Sequence, residues 1–357
     1  MTQAKAKERT RKRTTCRRDG LSFDAPRFIA AMITGRCHRS SDPGLRFPSP
    51  IVLLQCLVNS RLNGQSQDHR FRGVFKPAHH TAERLSVMRL LERVYRALPP
   101  LRRFVYRLWY RQMTRLDRHA ESPFANYGYA DLIGAQPIPL APQDESDRLS
   151  IQLYHHVAAA VPLAGRDVLE VGSGRGGGAS YIARYLGPRT MVAVDLNLRA
   201  IECCQRRFRV PNLRFRRGDS ENLPFADGTF DAVLNVESSH CYGSMSKFLS
   251  EVKRVLRSGG CLLLADFRTS ADIERLQRQF EQAEFVVERE ERITPNVFRA
   301  LELDSERKLA LIRRRVPPVL QAVFRQFAAT AGTPTWEKFR QAHWEYLSFV
   351  LRKPGDR

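Results

Sequence analysis

The chain has 357 residues, enough to bury a substantial core in one large domain or two. Its formal net charge is +22, and its seven cysteines are odd in number and scattered, with only Cys203 and Cys204 adjacent. That pattern argues against a disulfide scaffold and, with no C-x-x-C pair, against a structural zinc site; it suits reduced thiols in the cytoplasm. No run approaches the ~20 apolar residues of a membrane span, the longest candidate being Ile51 to Val58.

The charge sits at the front. Residues 1–82 carry sixteen Lys and Arg against five acids, and residues 83–119 carry ten Arg against three. Residues 1–82 mix Arg, Ser, Pro and Gly with no sustained period, so the expectation is a basic, disordered extension. Its start, Lys5 to Arg13, lacks the apolar region of a secretory signal, and a chain beginning at Met88 would keep every motif below. Residues 83–118 repeat Leu, Val, Tyr, Trp and Met near helical spacing with Arg between them. Pro99-Pro100 divides this stretch into two amphipathic helices, of a kind that packs on a folded domain or lies on an anionic membrane. A segment with Tyr127 and Tyr129, then a Pro-rich linker, leads to a helix over 149–161.

From Arg166 a strand–helix alternation sets in, with strands expected at 167–171, 191–195, 213–216, 230–236 and 260–266. A helix over 271–284 and a sixth strand over 285–288 follow. Residues 295–342 read as mostly helical, and 346–351 as a last, buried strand.

The first strand carries the most information. Val168-Leu169-Glu170-Val171 runs straight into Gly172-Ser173-Gly174-Arg175-Gly176-Gly177-Gly178, and a helix from Ala179 to Leu186 follows. Glycines there let the backbone pass close to a ligand, and the helix start points free N–H groups at it. Gly172-x-Gly174-x-x-Gly177 with Asp195 at the next strand end also fits a dinucleotide site. However, Glu170 stands two residues before the first glycine, where it would repel a pyrophosphate and tolerate a cationic ligand. An acidic turn, Gly218-Asp219-Ser220, and a Gly259-Gly260 element before the 260–266 strand complete the order.

This series of elements over residues 150–267 resembles the class I S-adenosylmethionine (SAM)-dependent methyltransferases. The resemblance implies an α/β fold: a Rossmann-like seven-stranded sheet with helices on both faces, an antiparallel final hairpin, amphipathic helices before it and a helical lid at about 295–342. Carried over by position, Gly172, Gly174 and Gly176 would admit SAM, and Glu170 would help hold its ammonium. Asp195 would accept the ribose hydroxyls, Leu196 would pack on the adenine, and Asp219 and Ser220 would bond its edge. Asn235 would lie under the methionine moiety.

The acceptor chemistry is read from Asn235-Val236-Glu237-Ser238-Ser239-His240-Cys241-Tyr242. His240 lies just past the fourth strand, and an imidazole suits a base working at neutral pH. Asp266, ending the fifth strand, is set to orient it or to act as a second base. The segment lacks the Pro-Pro-aromatic element of DNA amino-methylating enzymes, the Pro-Cys element of RNA cytosine-C5 enzymes and the Asp set of metal-dependent catechol enzymes, so no catalytic metal is indicated. Leu153-Tyr154-His155, Gly176 to Tyr181, Asp195-Leu196-Asn197, Glu221 to Phe225 and Asn235 to Tyr242 are similar to the mycobacterial phthiotriol/phenolphthiotriol dimycocerosate methyltransferases and fatty-acid O-methyltransferases. Ser258 departs from that pattern, where a proline is usual. The expectation is an O-methyltransferase of a lipid, polyketide or similar apolar hydroxyl, with Tyr127, Tyr129 and residues 295–342 closing over the acceptor, and with membrane contact through 83–118. The alternative is an RNA methyltransferase that uses the basic front end as an electrostatic arm.

Overall fold

The computed structural model describes residues 123–134 and 136–355. The basic extension 1–82 and the Arg-rich stretch 83–118 lie outside the described residues.

A lead-in segment and helix α1 (Arg148–Ala158) precede the sheet. The chain then alternates β1 (Asp167–Val171), α2 (Gly177–Tyr185), β2 (Thr190–Asp195), α3 (Leu198–Arg207), β3 (Leu213–Arg217) and β4 (Phe230–Val236). It continues through α4 (Met245–Val255), β5 (Leu256–Arg268), α5 (Ser270–Gln282) and β6 (Val286–Arg292). Three helices, α6 (Thr294–Arg315), α7 (Pro318–Phe327) and α8 (Pro334–Arg340), intervene before β7 (Glu345–Arg352). The strands form one seven-stranded sheet in the order β3-β2-β1-β4-β5-β7-β6. The first five pair in parallel, while β7 is antiparallel to both β5 and β6.

Strands covered on both faces must be apolar throughout, and neighbouring side chains then serve opposite layers. Val168, Ala232, Leu234 and Leu263 pack with Tyr154, Tyr181 and Leu301. Leu169, Val233, Leu262 and Leu264 pack with Phe248, Val252 and Phe280 on the other side. The helices begin where short polar side chains can take free N–H groups: Asn197 caps α3, Ser244 caps α4 and Thr269 caps α5.

The fifth strand differs from its expected extent. β5 starts at Leu256, four residues earlier than the glycines suggested, because the chain bulges rather than turns: Phe230 pairs with Leu256, but Ala232 already faces Cys261. Gly259, at φ +71°, absorbs that bulge. The expected helical stretch 295–342 is three helices, the first break coming at Pro317-Pro318. No helix among the described residues is long and apolar enough to cross a membrane.

Strand order reverses between β1 and β4. The chain runs β1 to β3 outward on one side, then returns to place β4 on the other, which opens a crevice beyond the carboxyl ends of these two strands. Helix α2 seats itself beside it through a bare backbone: a Cβ on Gly178 would overlap the Tyr154 ring of α1. We expect Gly178→Ala to cost about 1–3 kcal/mol by overpacking, read as a lowered denaturant midpoint with an unchanged m-value.

Candidate active site

The crevice floor is made where β1 and β4 end. Asn235 Nδ2 donates to the Val171 carbonyl at 2.9 Å and to Tyr242 Oη at 2.7 Å, bridging the two strands. The Gly172 and Ser173 N–H groups turn back onto the Val194 carbonyl of β2. A Cβ on Gly172 would overlap Ser238 Oγ, and one on Gly176 would press within 2.8 Å of Cys204 Sγ and the Phe215 ring. Gly174, also at positive φ, instead has open space where a Cβ would stand, which is the side a ligand can approach.

Among the described residues, three buried polar atoms around this turn have no hydrogen-bond partner: Glu170 Oε2, Ser173 Oγ and Asn235 Oδ1. Such groups cost free energy unless something satisfies them. Glu170 is fully buried, with Oε1 accepting from Tyr154 O–H at 2.7 Å. Burial, with Asp195 adding to it, pushes its carboxyl up to about 7 against the Tyr154 and Ala179 donors. A cation placed against Oε2 would relieve both the missing bond and the burial of charge.

Asp195 ends β2 with Oδ2 accepting from Gly174 N–H at 2.9 Å and Oδ1 from Asn197 N–H at 2.8 Å. It keeps open surface, and burial raises its pKa against those donors. Leu196 follows, also part-exposed. The Gly218 N–H donates to the Asp195 carbonyl at 3.1 Å, so the turn holding Asp219 and Ser220 lies alongside. The cofactor residues expected from the sequence therefore gather around one crevice. Open glycine backbone, a carboxylate at each of two strand ends and an orphaned buried acceptor fit a cationic aminoacyl group joined to a nucleoside.

A second constellation flanks it. His240 Nδ1 meets Asp266 Oδ1 at 2.8 Å. The other oxygen, Oδ2, accepts from Ser239 O–H at 2.6 Å and from the His240 N–H at 2.9 Å, and pairs with Arg268 at 3.0 Å. Burial opposes charge on Asp266, but Arg268 and His240 outweigh it and hold the carboxyl well below the usual carboxylate range. Burial likewise disfavours the imidazolium, yet the Cys241 thiol and the Asp266 carboxylate lift His240 well above its ordinary value. With Nδ1 committed to Asp266, Nε2 is the nitrogen left for an acceptor.

Aromatic rings wall this dyad. Phe267 lies 4.5 Å from His240 and stacks on Trp344 at 4.8 Å, with Tyr127 at 5.6 Å and Phe339 at 5.9 Å. Phe339 comes from α8, and Trp344 from the return into β7. Of the two expected acceptor-side tyrosines, Tyr127 joins this cluster, whereas Tyr129 stacks on His156 at 4.6 Å. The lead-in segment spans both halves: the Pro123 carbonyl accepts from Gly177 N–H at 3.0 Å, and Tyr127 N–H donates to Glu237 Oε1 at 2.8 Å.

Sequence reading missed Glu237, Tyr154, Arg268 and the ring set Phe267, Phe339 and Trp344. Glu237 had a signal, since an acid directly after a buried strand is unusual company. The rings had none, being scattered over 78 positions of chain.

A family profile described as a methyltransferase domain matches residues 169–264. A phthiotriol/phenolphthiotriol dimycocerosates methyltransferase of Mycobacterium tuberculosis is 41% identical over 249 residues, covering 70% of this chain and 92% of the relative. The chain belongs to this SAM-dependent methyltransferase family. A fatty-acid O-methyltransferase of Mycolicibacterium smegmatis is 39% identical over 250 residues, covering 70% of this chain and 90% of the relative. Solved structures agree on the fold alone. The cyclase SpnF superposes with a TM-score of 0.52 at 20% identity, over 69% of this chain and 95% of that chain. The cyclopropane synthase MmaA2 of Mycobacterium tuberculosis does so at 0.50 and 15%, over 64% and 90%. SAM is thus the cofactor.

A proton link follows for cofactor binding. Glu170 is raised without a cation; if it receives the SAM ammonium it should ionise fully, and affinity should then climb with pH through about 7. Calorimetric titration with SAM at about pH 6 and about pH 7 should give the tighter binding at the higher pH, and Glu170→Gln should abolish the difference.

Proposed function

We infer that the enzyme transfers a methyl group from SAM to a hydroxyl of a lipid or a similarly apolar metabolite. The observation that carries this is the aromatic wall formed by Phe267, Phe339, Trp344 and Tyr127 around a His240–Asp266 pair. Such a wall desolvates an alkyl acceptor, while the pair offers one polar contact to its oxygen. The names of the relatives, which speak of phthiotriol dimycocerosates and of fatty acids, support the same class.

SAM supplies an electrophilic methyl group when bound. Glu170, Gly172, Gly174, Gly176 and Asn235 hold the amino-acid end, while Asp195, Leu196, Asp219 and Ser220 hold the nucleoside. His240 orients the acceptor hydroxyl through Nε2, with Asp266 fixing the ring. Ser239 and Arg268 in turn fix Asp266. Helices α6 to α8 act as the lid, and the rings they contribute exclude water; correct alignment alone supplies several kcal/mol. The Arg-rich stretch 83–118, which lies outside the described residues, carries the charge to draw the enzyme to an anionic lipid surface at about 1 kcal/mol per well-placed Arg.

Incubation of the full chain with methyl-labelled SAM and a total lipid extract, beside total RNA, tests the reading. Label should enter a lipid band. His240→Ala should reduce it by about 10²–10³-fold, as for a lost preorganised donor, and Asp195→Ala should remove it through lost cofactor binding. Label appearing only in RNA would replace this reading with an RNA methyltransferase.

A further inference from the structure

Glu237 stands in the site without a role in what has been described. It follows β4 directly and holds φ at +47°, a left-handed conformation costly for a residue with a side chain. Its Oε1 is tied twice, accepting from Tyr127 N–H at 2.8 Å and from Tyr346 O–H at 2.9 Å. Both tyrosines pack on Phe267, the ring that lies against His240. Its Oε2 accepts no hydrogen bond among the described residues. Glu237, His240, Tyr127 and Tyr242 are deep within the protein yet all keep accessible surface, as side chains lining an internal chamber do. One oxygen is therefore pinned, while the other accepts no hydrogen bond among the described residues on a side chain that, like His240, keeps accessible surface.

We propose that Glu237 is a catalytic residue of the methyl transfer, and that its free Oε2 receives the proton of the acceptor hydroxyl. This rests on the hydroxyl reading given above. In the step, the acceptor oxygen forms a bond to the methyl carbon as the carbon–sulfur bond breaks, and that bond's electron pair stays on sulfur. The O–H bond breaks, its electron pair stays on oxygen, and the proton goes to Glu237. A positive sulfonium and a negative carboxylate become a neutral thioether and a neutral carboxylic acid, so the reaction removes a charge pair from a poorly solvated chamber.

His240 is the rival proton acceptor. Its Nδ1 is engaged by an ionised Asp266, and that carboxylate raises the proton affinity of the ring, which favours the charged imidazolium as a donor beside the reacting oxygen over a neutral base. Glu237 has the matching proton affinity, because burial, with Asp266 adding to it, pushes it up to about 7. The groups facing it are Tyr127 from the lead-in segment, Tyr154 from α1, His240, Asp266 from β5, Lys308 from α6 and Tyr346 from β7. A base tuned near the working pH is the efficient one.

Glu237→Gln isolates the proton chemistry, since an amide oxygen still accepts from Tyr127 N–H and Tyr346 O–H. With saturating SAM, we expect kcat to fall by about 10²–10⁴-fold, while the calorimetric affinity for SAM stays within about twofold of wild type and Glu237→Asp recovers part of the rate. In wild type, kcat should rise with pH through about 7, as a raised carboxyl ionises, and the residual rate of Glu237→Gln should lose that limb. Infrared titration of the protein without SAM or acceptor, in a Glu170→Gln background so that this second raised carboxyl is silent, should show a protonated carboxyl band that is lost near neutral pH and is missing once Glu237→Gln is added. A variant that binds SAM and keeps more than about a tenth of kcat would overturn the assignment, as would a carboxyl band unchanged by the substitution. Failure of wild type to methylate any lipid hydroxyl would instead strike the reading beneath it, and the infrared titration still reads Glu237 without an acceptor.

Discussion

The site hangs on the bond that Asn235 makes from β4 to the Val171 carbonyl of β1. Two parallel strands whose onward connections depart in opposite directions leave a gap at their carboxyl ends. Here a buried amide bridges that gap, while its own oxygen finds no hydrogen-bond partner among the described residues. The glycine turn hangs from one strand end. The Glu237–His240 segment hangs from the other. Donor and acceptor groups thus share one rigid floor, and a loss of pairing there would displace both at once.

Much of this frame was legible beforehand because it depends on local rules. Glycines that must tolerate positive φ, acids at strand ends and buried apolar runs each announce themselves within a few residues. Gly172 to Gly176, Glu170, Asp195 and Asp219 were therefore readable, as was the His240–Asp266 pairing across consecutive strands. What escaped depends on long-range packing. Trp344 and Phe339 reach the His240 region only because β7 runs antiparallel and the insertion folds back, and no periodicity encodes that. The start of β5 escaped for a different reason, since a bulge and a turn use the same Ser258-Gly259-Gly260 chemistry.

The three buried carboxylates of the site are held in opposite states by their surroundings. Asp266 is surrounded by donors and a guanidinium, and so stays charged. Glu170 and Glu237 are buried with fewer donors and are lifted toward neutrality. Similar burial has opposite outcomes, because the count of hydrogen-bond donors and nearby cations decides the sign. The fold is shared with a cyclase and a cyclopropane synthase, so chemistry must be argued from such details rather than from the sheet.

The tether from Tyr127 to Glu237 is made by a peptide N–H, not by the tyrosine ring. Any residue except proline supplies that donor. The side chain at this position is consequently free to drift under selection for acceptor shape while the carboxylate stays anchored. The same holds at Pro123, whose carbonyl makes the contact to Gly177. Acceptor-side side chains are thereby clipped to the catalytic end through main-chain atoms, which would let one scaffold change its acceptor without rebuilding that end.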